Sequence, residues 1–394
     1  MNMLSKSGFL WVAALFFTAC SEENGNDYPV NNAHTYFESK IATKDYNGHD
    51  FIAGIIGQGY ADALNTKVDL RIDAIRYHTV DPASGDSIIA SGIISYPQDG
   101  RIKGLVLAEH PTICSNEEAP SVAMQATSSF CSIFRYAVVS PDYIGYGASA
   151  DRIHPYMHLE STARASIDML FAAREYMKGI GLPLPDSIFI VGYSQGGQAA
   201  LAVQKVAEES YADAIPIKKV MAGGGPYDLS VIFDALNQSP KAAFSPTTAM
   251  AIIGLNDGDR LNLDYRTLFR EPLLSHYKEW LLSKQYTLSQ IEDSVGKATN
   301  ADMLAPLFFE ASGDAVPEAL RYSMEQNSLI AWTPKAPLLL VHGTKDELVP
   351  ILCAQRAYDS FTARGADVSF EKVAADHRGA AIPFFLDVIA SLVE

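Results

Sequence analysis

Positive charge is scarce in this chain and nowhere clustered: 30 lysines and arginines stand against 46 aspartates and glutamates, a formal net charge of −16. Without a basic block the chain lacks the phosphate-neutralising surface that supplies most nucleic-acid affinity, which argues against a nucleic-acid partner. Cysteine is scarce too, and the spacings of Cys20, Cys114, Cys131 and Cys353 fit no zinc site. The spacing leaves a Cys114–Cys131 bridge open, and Cys353 reads as a small buried hydrophobe. No internal repeat and no low-complexity segment interrupts the chain, and no apolar run after the N-terminus is long enough to cross a bilayer. His154 and His158 lie four apart, but Pro155 sits between them and no Glu completes an H-E-x-x-H pattern, so no metal is expected there.

What is present is ample apolar material, 48% of 394 residues, enough for one large α/β domain with an insertion or for two average domains. Lys6 precedes the short apolar run Gly8–Ala19, which suits the core of a signal peptide spanning residues 1–19. The run closes on Phe17-Thr18-Ala19-Cys20 before the polar stretch SEENGND, and this resembles a bacterial lipoprotein lipobox. That resemblance implies acylation of Cys20, a lipidated tether over residues 20–40, and an exported protein held to the lipid bilayer of the cell envelope. Several acyl chains on one cysteine would anchor stably, whereas a single chain binds marginally.

Downstream, a helical segment is expected around His49–Tyr60, then two strands, Val68–Val80 and Ser87–Tyr96, joined across the turn-rich DPASGD as an antiparallel hairpin. Apolar runs follow at Gly104–Ala108, Tyr136–Val139, Ser187–Val191, Lys219–Ala222, Pro337–Val341 and Val368–Val373, separated mostly by helical patterns such as Ser161–Lys178. Strands alternating with helices predict a mainly parallel, doubly wound sheet covered on both faces. Between Pro226 and Pro337 no strand-like run occurs, only helical patterns including Tyr265–Lys284 and Pro317–Gln326. So long a gap is no loop; a helical cap insertion over residues 227–335 is expected, dividing a core of residues 41–226 and 336–394.

Within that frame one serine stands out. The run Ile188–Val191 stops at Gly192-Tyr193-Ser194-Gln195-Gly196, and a small-residue helix pattern begins at once. In a doubly wound sheet functional groups gather at the carboxyl ends of the strands, and G-x-S-x-G there fits a nucleophile elbow. The serine occupies a tight strand-to-helix turn, so its neighbours two before and two after must carry almost no side chain. A serine hydroxyl needs a positioned base and an acid that orients that base, in the chain order serine, acid, histidine for this topology. The loop after Pro337–Val341 offers Asp346, and the loop after Val368–Val373 offers His377. His342 is expected to shape the acid loop, Asp376 to point elsewhere, and Glu347 to be the weaker carboxylate. For an oxyanion hole the backbone N–H of Gln195 is one donor. The other is expected from the loop Glu109-His110-Pro111-Thr112, where proline cannot donate and Thr112 is the choice.

These pieces, together with SGIISYP, SPDYIGYG, HPYMHLESTARASIDML, GYSQGGQ, HGTKDELVP and DHRGA, resemble the α/β-hydrolases of the secretory lipase group from about Arg76 to the C-terminus. The resemblance implies an α/β-hydrolase fold and cleavage of small-molecule or lipid esters through an acyl-enzyme on a Ser194–His377–Asp346 triad. It implies no metal or organic cofactor, and the sequence shows no protein partner. His110, Tyr143 and Tyr146 are expected to line the substrate, with a minority of the insertion's aromatics (Phe233, Phe244, Phe269, Tyr277, Trp280, Phe308, Phe309 and Trp332) completing an apolar wall. HGTKDELVP also resembles the acid loop of prolyl-oligopeptidase relatives, which makes a serine peptidase the alternative. The stretch between Cys20 and the hairpin is too short for the β-propeller such enzymes usually carry. A hydrolase-fold protein that only binds ligand is the third reading, and loss of a triad member would favour it.

Overall fold

The computed structural model describes residues 35–64, 66–310 and 316–393. The signal segment expected over residues 1–19 and the lipidation site expected at Cys20 lie outside the described residues. The centre of the fold is a nine-stranded sheet. Its strands are β1 (Phe37–Tyr46), β2 (Leu70–Val80), β3 (Ser87–Pro97), β4 (Gly104–Glu109), β5 (Tyr136–Pro141), β6 (Ile188–Tyr193), β7 (Ile217–Gly223), β8 (Leu338–Gly343) and β9 (Val368–Val373). They are ordered β1-β2-β3-β5-β4-β6-β7-β8-β9. The first three strands and the β3–β5 junction pair antiparallel, and everything from β5 through β9 is parallel. The expected hairpin is β2–β3, in register from Leu70 opposite Pro97 to Val80 opposite Ser87.

Burial explains which strands were easy to read. Every residue of β4, β5 and β6 is buried, as fits strands covered on both faces. Along β6 side chains alternate between faces: Phe189, Val191 and Tyr193 join Phe384, Val388 and Leu392 of the C-terminal helix Ala381–Val393 in one apolar cluster. The helices Leu159–Gly179 and Gln195–Ser210 pack on one another and on the strands. β1 was not expected. Its residues 37–40, read with the tether, pair with β2 at the sheet edge, and register shifts break the ladder at two points. Its side chains are mostly exposed, so it carries no apolar signature.

Between β7 and β8 the described residues form a series of helices and no strand of the sheet, with a core of their own that includes Phe244, Phe269, Leu281, Ile291 and Phe308. Phe233, Tyr277, Trp280 and Phe309 pack against that core, and Trp332 packs on Phe361 of the helix Leu352–Ala363. The helix expected over Tyr265–Lys284 is broken into Tyr265–Leu268, Leu273–Tyr277 and a wider turn at Lys278–Leu282, since Pro272 cannot continue a helix from Leu268. The insertion is seated on the loops that leave β4 and β5. Asn116 N–H donates to the Lys284 carbonyl at 2.8 Å, and Lys284 Nζ donates to the carbonyls of Ala150, at 2.7 Å, and Arg152. Leu159 N–H donates to Asn327 Oδ1 at 2.7 Å. Nothing in the sequence singled out Lys284, a buried lysine that burial brings down to about 8.

Candidate active site

Ser194 stands between β6 and the helix Gln195–Ser210 with φ 61° and ψ −121°, a left-handed conformation that costs a serine energy and is held by its surroundings. The flanking glycines are there for space. A Cβ on Gly192 would overlap the carbonyl oxygen of Gly196, and one on Gly196 would overlap that of Glu109. A Cβ on Gly197 would sit 2.6 Å from the Gly223 oxygen. The turn is therefore wedged between the ends of β4 and β7, and Ser194 N–H donates to the Gly223 carbonyl at 2.8 Å.

The three residues expected to act together meet here. Ser194 Oγ lies 2.9 Å from His377 Nε2, and His377 Nδ1 lies 2.6 Å from Asp346 Oδ2. The Asp346 side chain is shielded from solvent, and Oδ1 accepts from the N–H groups of Leu348 and Val349 at 3.0 and 2.8 Å. Burial alone would raise this carboxyl; contacts with His342 and His377 outweigh it and hold the group well below the usual carboxylate range. His342, fully buried on β8, places Nε2 2.9 Å from the Val349 carbonyl and 3.3 Å from Asp346 Oδ2, which fixes the acid loop. Asp376 turns away and accepts from Gly379 N–H at 2.7 Å, while Glu347 is exposed. Sequence reasoning missed one brace: Tyr193, whose hydroxyl donates to the His377 carbonyl at 2.5 Å and whose ring lies 5.4 Å from the imidazole.

Gln195 opens the helix, where the first N–H groups have no intrahelical partner and the dipole end is positive. Its side chain is buried and its Nε2 lies 2.8 Å from His154 Nε2, while His154 Nδ1 faces the Ile144 carbonyl at 2.7 Å. The pattern is that of a neutral imidazole donating from Nδ1 and accepting on Nε2, and burial lowers His154 to about 3. His158 Nδ1 meets Ser161 Oγ at 2.7 Å and its Nε2 lies 3.3 Å from Asp259, so both histidines of the spaced pair have protein partners. Thr112 lies in the loop beside the elbow with its hydroxyl 2.7 Å from that of Tyr156.

Of His110, Tyr143 and Tyr146, expected to line the substrate, the two tyrosines turn inward. All three are buried; Tyr143 and Tyr146 donate to the carbonyls of His110, at 3.3 Å, and Ile113, at 2.6 Å. The His110 ring stacks 4.1 Å from that of Tyr143, with Nδ1 2.7 Å from the Pro111 carbonyl. The two tyrosine hydroxyls brace the loop 109–113 through its carbonyls. Of the insertion's aromatics, Phe244, Phe269 and Phe308 are buried in its own core and Trp332 packs on Phe361. Cys114, Cys131 and Cys353 are free and buried, so no bridge joins Cys114 to Cys131.

Behind the elbow, burial raises Glu109 to about 7 against opposing hydrogen bonds from Ser166 and Tyr143. Because its folded value lies above the unfolded one near 4.3, the native state binds the extra proton between those limits, and stability falls as pH rises from about 4.5 to 7. We expect Glu109→Gln to flatten the pH dependence of unfolding over that interval. Wild type should lose about 3 kcal/mol more than the variant between pH 4.5 and 8, measured by denaturant titration. Parallel profiles would refute this.

A family model for secretory lipases matches residues 124–385. A secreted triacylglycerol lipase of Malassezia globosa is 27% identical over 224 residues, 54% of this chain and 45% of its own length. The chain spans about half the length of the curated relatives it matches. Among solved structures, one from Legionella pneumophila superposes with a TM-score of 0.79 at 23% identity, covering 90% of this chain and 97% of that one. The rice cell wall degrading esterase LipA from Xanthomonas oryzae superposes with a TM-score of 0.75 at 23% identity, covering 90% and 96%. These two likenesses concern the fold, which is that of the α/β-hydrolases.

Proposed function

The chain belongs to the secretory lipase family, and we propose from that premise that it is an exported hydrolase that cleaves carboxylic esters through an acyl-enzyme on Ser194. The observation that carries this reading is the unbroken relay from Ser194 Oγ through His377 to Asp346, at 2.9 and 2.6 Å. His377 Nδ1–H donates to the Asp346 carboxylate, which leaves Nε2 unprotonated toward the serine. Ser194 Oγ bonds to the ester carbonyl carbon as its proton passes to Nε2, and the former carbonyl oxygen becomes an oxyanion facing the N–H of Gln195, with Thr112 as second donor. Collapse breaks the bond to the alcohol oxygen, which takes the proton from Nε2. Water then repeats the sequence, its proton going to Nε2 and back to Ser194 as the acid leaves.

A panel of p-nitrophenyl esters and peptidyl p-nitroanilides separates esterase from peptidase. Esters should be turned over and longer acyl chains preferred to acetyl, since each buried methylene contributes about 0.8 kcal/mol. Efficient amide cleavage with feeble ester turnover would promote the peptidase reading.

The reading includes lipidation of Cys20 and attachment to the cell envelope, supported by the short run Gly8–Ala19 ending at that cysteine. Among the described residues no helix is long and apolar enough to cross a membrane. Cys20→Ser should move the protein from the membrane to the soluble fraction of expressing cells with esterase activity retained. Membrane association unaltered by the substitution would refute the anchor.

A further inference from the structure

A cavity of about 450 Å³ lies against the loop Glu109–Ile113 and Tyr193. It is bounded on one side by the segment from Glu118 to Ser128 and on the other by the start of the C-terminal helix, at Ala381 and Phe385. Its volume falls within the range of small-molecule sites. Resting on the ester-hydrolase reading, we infer that this cavity receives the hydrocarbon chain of the ester, and that Ala123 and Phe385 set the length of chain it accepts.

Tyr193 precedes Ser194 and its ring packs 5.4 Å from that of His377, so one wall of the cavity adjoins the reacting groups. The lining also includes the loop that backs on Gly196, where an added Cβ would meet the Glu109 and His110 carbonyls. A chain attached to a carbonyl at Ser194 thus has the cavity beside it.

Pro111, Ala126, Tyr193, Ala381 and Phe385 present carbon, and no lysine or arginine is among the lining residues. Most of the surface exposed in the cavity is carbon, and several of the polar groups there are engaged with the protein. Ser140 Oγ donates to the Ala108 carbonyl at 2.9 Å, and Glu118 Oε2 accepts from the N–H groups of Cys114 and Ser115 at 3.2 and 3.0 Å. Glu109 accepts from Ser166 at 2.9 Å, and His110 Nδ1 faces the Pro111 carbonyl at 2.7 Å. Groups so occupied offer little to a sugar or a charged ligand, which would have to give up water without replacement bonds. A hydrocarbon chain gives up nothing.

The chain could belong to the acid or to the alcohol of the ester, and two substrate series tell them apart. One holds p-nitrophenol fixed and lengthens the acyl group from acetyl to octanoyl; the other holds butyrate fixed and lengthens the alkyl alcohol from methyl to hexyl. In the arm that uses the cavity, wild-type kcat/KM should rise by up to about fourfold per methylene until the cavity is filled. Ala123→Trp should lower the longest-to-shortest ratio in that arm by about tenfold, since a bulky rim side chain excludes several methylenes. Phe385→Ala should move the optimum to longer chains. Labelling of Ser194 by a small fluorophosphonate distinguishes a formed site from a damaged one, and Ala123→Leu is the milder substitute if Ala123→Trp does not label. Ratios unchanged by both variants in both series, with labelling intact, would overturn the cavity assignment alone. A wild-type protein that neither labels nor hydrolyses any ester would overturn the ester reading beneath it.

Discussion

Replacing Ser194 by alanine should lower kcat on a p-nitrophenyl ester by about 10³-fold or more, and His377→Ala should do nearly as much. The two atoms act as one unit. Without Oγ there is nothing for the imidazole, 2.9 Å away, to activate; without the imidazole, the hydroxyl keeps its proton at neutral pH. The double variant should therefore be scarcely worse than either single one, because non-additivity is the mark of groups sharing one step. Alanine removes only an oxygen at Ser194, so the backbone turn held by Gly192, Gly196 and Gly197 should persist and unfolding should be little altered. Purified Ser194→Ala with turnover near wild type would refute the assignment, and strictly additive losses would separate His377 from the serine.

Asp346→Asn should lower kcat by about 10³- to 10⁴-fold while leaving the fold in place, and the reason can be read from the hydrogen bonds. Oδ1 of Asp346 accepts from two backbone N–H groups, at Leu348 and Val349, whereas Oδ2 faces His377 Nδ1 at 2.6 Å. An asparagine must keep its oxygen toward the backbone donors, so its NH₂ group faces the imidazole. That forces Nδ1 to accept and moves the ring proton to Nε2, where it opposes the serine hydroxyl. The variant should recover part of its activity at high pH, where the serine can lose its proton without the imidazole, and glutamate at 346 should not restore wild-type turnover. Near-normal kcat for Asp346→Asn at pH 7 would mean that His377 is oriented by something else, with the Tyr193 hydroxyl on the His377 carbonyl as the remaining contact to test.

The parts of this fold visible in the sequence are those where burial dictates residue type. β4, β5 and β6 are wholly buried and apolar, and their carboxyl ends locate the functional loops. That Ser194, His377 and Asp346 would meet was legible because chain order and strand-end position restrict the choice to a few side chains. β1 was not, since an edge strand with exposed, charged side chains such as Glu38, Lys40 and Lys44 follows no apolar alternation. Tyr143 and Tyr146 were misjudged for a different reason. A tyrosine in a strand-end loop reads the same whether its ring meets substrate or turns inward, and only the carbonyls of His110 and Ile113 decide that it turns inward. The same holds for the Lys284 side chain and for His154 with Gln195: the partners reached through Lys284 Nζ and Gln195 Nε2 lie at least 41 residues away, and no local pattern encodes such pairings. The cavity beside Tyr193 was invisible for that reason too, being assembled from β4, the segment after it, and the C-terminal helix.

The most direct test of the central claim is intact-mass and peptide mapping of the full chain after titration with a fluorophosphonate. One adduct per molecule is expected, on the peptide containing Ser194, with esterase activity falling in proportion to its formation and His377→Ala labelling far more slowly. Full activity in fully labelled protein, or an adduct on any other residue accompanied by loss of activity, would contradict it.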